Sequence, residues 1–145
     1  MIVLDTNVVS EVMKPSPSAA VLAWLNQQNS ARLHLSCVSL GEIEYGLRIL
    51  PDGGRRRDLQ ERFRRFVASA FVSRVLGYDE LAARSYGEIM AARKVLGRPM
   101  SVPDGQIAAI AKVNGGAVAT RNIGHFEHCE IELINPFGDE RIGKQ

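Results

Sequence analysis

Met1-Ile-Val-Leu-Asp5-Thr6-Asn7-Val-Val-Ser-Glu-Val12 opens with an apolar run, Ile2 to Leu4, that stops abruptly at a carboxylate. A continuous apolar run is the pattern of a strand buried on both faces. The three small polar residues after it, and the apolar residues that follow, predict strand, turn and helix. Such a strand belongs to a parallel sheet covered by helices, in which the carboxyl ends of the strands border the ligand crevice. Asp5 is therefore a candidate ligand. Short polar residues in this position also form Asx-turns and cap helices, and that reading stands beside the functional one.

Outward from this stretch, helical and extended patterns alternate. Pro15 and Pro17 end the first short helix, and Ser18 precedes a second one running to about Gln28 with Val21, Leu22 and Leu25 on one stripe. Leu33 to Ser36 reads as a strand. Ser39-Leu-Gly-Glu42 has the form of a capping box, which predicts Glu42 in the first turn of a helix carrying Leu40, Ile43, Leu47 and Leu50. Pro51-Asp-Gly-Gly54 is a turn, followed by a helix with Leu59, Phe63, Phe66 and Val67 on its apolar face. Val72 to Leu76 reads as a third strand. A long helix from about Asp79 stops at Gly97 and Pro99, and Ser101-Val-Pro-Asp104 starts an Ala-rich helix ending at Gly115-Gly116. Ala117 to Ala119 and Ile131 to Ile134 complete five predicted strands. Alternating strands and helices imply an α/β fold, a three-layer α/β/α sandwich around a central parallel sheet.

The chain's 145 residues suit one domain, which at this size buries roughly 70% of the unfolded surface. We assign it to residues 1–137 and expect the polar tail, 138–145, to fray. A hydrophobic share of 46% with 23% charged residues excludes a disordered chain, and no apolar run reaches the roughly 20 residues that span a bilayer. The first strand at residue 2 leaves no room for a secretory leader, so a cytoplasmic protein is expected. Cys37 and Cys129 are too few for a disulfide framework and fit reduced thiols. The net charge of +2 does not announce a nucleic-acid binder, but Arg55, Arg56, Arg57, Arg62, Arg64 and Arg65 concentrate positive charge on one helix.

Glu42 and Asp104, taken singly, are explained as acids at the positive end of a helix macrodipole, worth about 0.3–1 kcal/mol. Jointly they mean more. Asp5, Glu42 and Asp104 all sit at junctions of elements, and a parallel sheet gathers the junctions of one edge. Three carboxylates there would raise one another's pKa unless a cation neutralised them. Oxygen ligands without cysteine or histidine suit Mg²⁺ or Mn²⁺, and such a site hydrolyses phosphoryl esters by activating a water and stabilising the charge that develops.

Leu4-Asp-Thr-Asn7, Ser39-Leu-Gly-Glu42 with Tyr45-Gly46, Asp104 with Ile107-Ala-Ala109, and Ala119-Thr-Arg-Asn122 followed by Phe126 resemble the successive motifs of PIN domains. The order and spacing are similar to VapC-type toxins, and the opening through Glu11 to their FitB-like members. The resemblance spans Met1 to about Phe137. It implies a PIN-like fold and a Mg²⁺- or Mn²⁺-dependent endoribonuclease. It also implies the toxin of a toxin–antitoxin pair, restrained by a small VapB- or FitA-like antitoxin and usually homodimeric. By the same resemblance Asp5, Glu42 and Asp104 bind the metal, and Thr6 and Thr120 help position the attacking water. DNA would be met only through the antitoxin, in a higher toxin–antitoxin assembly. The family commonly has a fourth acid where this chain has Asn122 or His125, so a second metal site would be weaker or built from an amide and an imidazole.

Rival readings use the same residues differently. A phosphatase or DNA nuclease could employ the three acids. A binding module would use them only as caps, working in an antitoxin complex bound to DNA. His125, His128 and Cys129 offer three zinc-type ligands but lack the second half of a two-pair spacing. Neither a P-loop nor a dinucleotide fingerprint occurs. The arginine helix would contact RNA backbone, dock an antitoxin or simply be solvated. Trp24, Tyr45 and Tyr86 read as core or interface residues.

Overall fold

The computed structural model describes residues 1–138; the tail beyond Gly138, expected to fray, lies outside the described residues. In chain order the elements are β1 (Ile2–Leu4), α1 (Thr6–Val12), α2 (Ala19–Gln27), a 3-10 turn (Ser30–Arg32), β2 (Leu33–Ser36), α3 (Cys37–Arg48) and α4 (Gly54–Ala70). They continue with β3 (Val75–Leu76), α5 (Glu80–Val95), α6 (Val102–Val113), β4 (Ala117–Ala119), α7 (Ile123–Phe126) and β5 (Leu133–Ile134). The five strands form one sheet in the order β3-β2-β1-β4-β5, and every pairing is parallel.

The alternation of side chains across β1 explains the three layers. Ile2 and Leu4 pack with Val8, Val9, Val21, Leu35 and Phe63 on the face covered by α1 to α4. Val3 points the other way, into a core made with Ile89, Ile107, Ile110, Val118 and Phe126 against α5 and α6. Both faces of the strand are buried, as its unbroken apolar run requires. The chain leaves β1 toward β2 on one side and adds β4 on the other. The order therefore reverses beside β1, where an open parallel sheet leaves a crevice at its carboxyl ends. Asp5 follows β1 directly.

Three element starts differ from the sequence reading, and α3 ends at Arg48, short of the Leu50 expected on it. β3 begins at Val75, not Val72, because Phe71 is held in the core and the chain turns through Ser73 at φ 57° before the Arg74 guanidinium donates to Leu33 O. β5 begins at Leu133 rather than Ile131, since the backbone turns at His128 and Glu130 with φ of 62° and 58°. The capping box assigned to Ser39 and Glu42 is also corrected. The cap of α3 is Ser36, whose hydroxyl accepts from Ser39 N at 3.0 Å, so the helix starts directly from β2 and Glu42 falls in its second turn. Asp104 does occupy the first turn of α6, where Ser101 Oγ accepts its N–H at 3.3 Å. Among the described residues no helix is long and apolar enough to cross a membrane.

Candidate functional site

Asp5 is 6% exposed and ends the central strand. Its Oδ1 accepts from Thr6 N at 2.7 Å and its Oδ2 accepts from the Thr120 hydroxyl at 2.8 Å. Burial raises the Asp5 pKa above its ordinary value. The bonds from Thr120 and Thr6 oppose that rise, and the neighbouring charges of Asp104 and Glu42 add to it. The pairing of β1 with β4 creates this arrangement. Asp5 N bonds Ala119 O at 2.9 Å, which sets the end of β1 beside Thr120 at the end of β4.

Thr6 links Asp5 to Glu42. Its hydroxyl donates to Glu42 Oε1 at 2.8 Å and lies 2.9 Å from Ser39 Oγ. A hydroxyl has one hydrogen and a carboxylate can only accept, so Ser39 donates to Thr6 and Thr6 donates to Glu42. The second-turn position of Glu42 is what makes this possible. Ser39, one turn earlier on the same helix face, stands beside the same Thr6 hydroxyl. Thr120 is buried and has a matching role on the other side: it accepts from Asn122 N at 2.9 Å and from Asn7 Nδ2 at 3.4 Å while donating to Asp5. Asn7 Oδ1 accepts from Arg121 N at 3.2 Å. In the sequence Ser39 and Asn7 are legible only as motif letters; their contacts cross 33 to 114 residues of chain, and no local pattern signals them.

Asp104 is brought to the same edge by α6, which runs back against β4 and so begins at the carboxyl end of the sheet. His125 Nδ1 lies 3.2 Å from Asp104 Oδ2. Asn122 shares the edge through its backbone N–H. Of the three zinc-type residues, His125 faces Asp104, His128 faces Arg98, and Cys129 is buried against Met100, so they do not converge.

Among the described residues no three His, Cys, Asp or Glu side chains close on one point. Asp5, Glu42 and Asp104 face a shared space rather than a single coordination centre. That donor set fits a hard divalent cation, which keeps several waters and takes few direct carboxylates, and a cation there would relieve the mutual repulsion that adds to the raised Asp5 pKa. Beside Glu42 and Thr6, Met13, Ile43, Leu47, Leu59 and Phe63 wall a largely apolar groove of about 330 Å³ that Arg55 borders. Arg62, Arg64 and Arg65 of the same helix are exposed, Arg65 paired with Glu61. Tyr45 is 67% exposed, while Tyr86 packs edge-on against Tyr78.

A parallel sheet reversing beside β1, with an acid directly after that strand and two more on flanking helices, defines a class of acid-lined α/β proteins. Residues 2–130 match the PIN domain family, and the chain belongs to it. It is 44% identical over 137 residues to the VapC ribonuclease Y4jK of Sinorhizobium fredii, covering 94% of this chain and 98% of that protein. It is 36% identical over 139 residues to toxin FitB of Neisseria gonorrhoeae, covering 96% of this chain and 100% of the relative. A solved structure of FitAB bound to a DNA fragment superposes with a TM-score of 0.91 at 36% identity, over 97% of this chain and 98% of that one.

Proposed function

We propose that this protein is a divalent-metal-dependent endoribonuclease acting as the toxin of a toxin–antitoxin pair. The observation that carries the reading is the convergence of Asp5, Glu42 and Asp104 on the sheet's carboxyl edge, in a chain 44% identical to a VapC ribonuclease. Asp5, Glu42 and Asp104 would hold Mg²⁺ or Mn²⁺. When bound, the cation supplies a water of lowered pKa and offsets the charge that develops on the phosphodiester.

The chain's own residues do the orienting. Thr6 N–H and Thr120 Oγ–H fix both oxygens of Asp5, so its remaining lone pairs point into the crevice. The Ser39–Thr6 relay aims Glu42, and His125 holds Asp104 from the opposite side. His125 and Asn122 stand where a fourth acid is common in the family, and they weaken any second metal site. The partner is a small antitoxin of the VapB or FitA kind, with DNA met through that complex, as the FitAB structure on DNA suggests. The apolar groove beside Glu42 offers that antitoxin an anchor. A homodimer, for which exposed Tyr45 on α3 and Ile49 just past its end supply apolar surface, and a cytoplasmic setting complete the reading.

The test is cleavage of structured RNA by antitoxin-free protein with Mn²⁺ or Mg²⁺, beside Asp5→Asn and an EDTA control. Metal-dependent cutting, absent from Asp5→Asn and from the EDTA sample, is expected. A folded protein that cuts no RNA under any of these conditions would support the binding-module reading instead.

A further inference from the structure

A second cavity, of about 330 Å³, opens beside Asp104 between the α5–α6 turn and α7, and shares no lining residue with the apolar groove. Its walls include Arg93, Arg98, Ser101, Asp104 and His125. Arg93 is 3% exposed and has no carboxylate partner among the described residues. Its guanidinium instead donates to three backbone carbonyls: Arg98 O at 2.6 Å, His125 O at 3.0 Å and Glu127 O at 2.6 Å. These carbonyl dipoles engage Nε and Nη1 but carry no net charge, so a full positive charge remains in a poorly solvated place, where its field reaches further than in water. Arg98 stands at the cavity mouth with an exposed side chain. Its Nη1 meets Glu127 Oε2 at 3.0 Å and His128 Nε2 at 3.2 Å, and among the described residues its Nε and Nη2 engage no acceptor. The Ser101 hydroxyl accepts from Asp104 N, so its hydrogen is free to donate outward.

A buried, uncompensated cation, an arginine with open donors and a hydroxyl with a free hydrogen all favour an anion, and they adjoin the carboxylate edge where a scissile phosphodiester would lie. We propose that this cavity is a phosphate subsite, holding the RNA backbone phosphate next to the one that is cut. Arg98 is the contacting residue. Arg93 is a positioning residue: its three carbonyl bonds tie the Arg98 turn to the His125–Glu127 segment and lend the cavity its charge. The inference rests on the ribonuclease reading and adds to it the path of the strand, which crosses the acids toward α7 rather than leaving along the arginine face of α4.

The experiment measures binding of a short single-stranded RNA across a salt series, in a Glu42→Gln background that removes an exposed acid and prevents cutting. Removing one arginine–phosphate ion pair lowers the slope of log affinity against log salt by about 0.7 for single strands. Arg98→Gln is expected to flatten the slope by about that much and to weaken binding about tenfold at low salt. Arg98→Lys keeps the charge and recovers most of the slope. Arg93→Lys is expected to shift affinity in the same direction as Arg98→Gln, with the fold verified by far-UV circular dichroism. An unchanged slope in Arg98→Gln, while the native protein still cleaves RNA with Mg²⁺ or Mn²⁺, overturns the subsite and leaves the ribonuclease reading intact. Failure of the native protein to cleave RNA overturns both.

Discussion

Thr120 Oγ1 donates to Asp5 Oδ2 across 2.8 Å, and this one bond joins the ends of β1 and β4 at the point where the sheet order reverses. Both groups are buried, so neither has ready access to water if the other is removed. Thr120→Val keeps the shape and deletes the hydroxyl. It is expected to cost about 1–3 kcal/mol in urea denaturation, because it leaves a buried carboxylate with one bond fewer. Thr120→Ser retains the donor and should recover most of that stability, which separates the hydrogen bond from the packing of the methyl group.

Asp5 itself costs stability in the metal-free protein. Its pKa is raised, first by burial, so between the ordinary value of 3.8 and the folded value the native state binds more protons than the unfolded chain. Stability from this group therefore falls as pH rises through that window and stays low above it. In EDTA, Asp5→Asn should melt at a higher temperature than the native protein at pH 7, and the gap should close as pH falls toward 3.8. Adding Mg²⁺ or Mn²⁺ reverses the ranking, since binding at about 100 times Kd stabilises the native protein by about 2.7 kcal/mol and Asp5→Asn by much less. A calorimetric pH series with and without metal reads both effects.

The parts of this arrangement that the sequence announces are those written in neighbouring residues. The unbroken Ile2–Leu4 run predicts a doubly buried strand ending on Asp5, and Ser101 with Asp104 predicts the start of α6; both stand as read. Local pattern places Glu42 a turn too early because Ser36 and Ser39 are both plausible caps. The choice between them depends on where β2 stops, which its pairing with β1 decides through the register Leu4↔Leu35. α7 has four residues and no periodicity to detect; it exists because Phe126 is fully buried against α6 and Val118. The side-chain contacts that join Thr6 to Ser39 and Thr120 to Asp5 and Asn7 are illegible too, because each spans more than thirty residues of chain.

Glu11 is 7% exposed, near the end of α1. Its Oε2 lies 2.7 Å from Lys14 Nζ and its Oε1 accepts from Ser18 N at 2.9 Å, so one carboxylate ties the end of α1 to the cap of α2. The Lys14 bond first, then the Ser18 bond, hold its pKa below the ordinary 4.5. For an acid with a lowered folded pKa, the added stability is present above the unfolded value and disappears as pH falls through the folded one. Glu11→Gln should therefore lower the melting temperature at pH 7, and the difference should vanish in acid below the usual carboxylate range.

Gly105 immediately follows Asp104 and sits where α5 crosses α6. A Cβ at this position would lie 2.5 Å from Met90 Sδ and 3.0 Å from Tyr86 Cε2. Real atoms do not approach so closely, so a side chain here must push the two helices apart or displace Met90 and Tyr86 from their packing. Gly105→Val is expected to destabilise the protein by about 1–3 kcal/mol in urea denaturation, the usual cost of overpacking a core. Because the residue pushed outward is the neighbour of Asp104, RNA cleavage should fall further than the fraction unfolded can explain. Met90→Ala makes room for the Sδ clash, and the double variant Gly105→Val with Met90→Ala should regain both stability and cleavage in part. A double variant no better than Gly105→Val alone would assign the cost to Tyr86, whose ring cannot move aside as a thioether can.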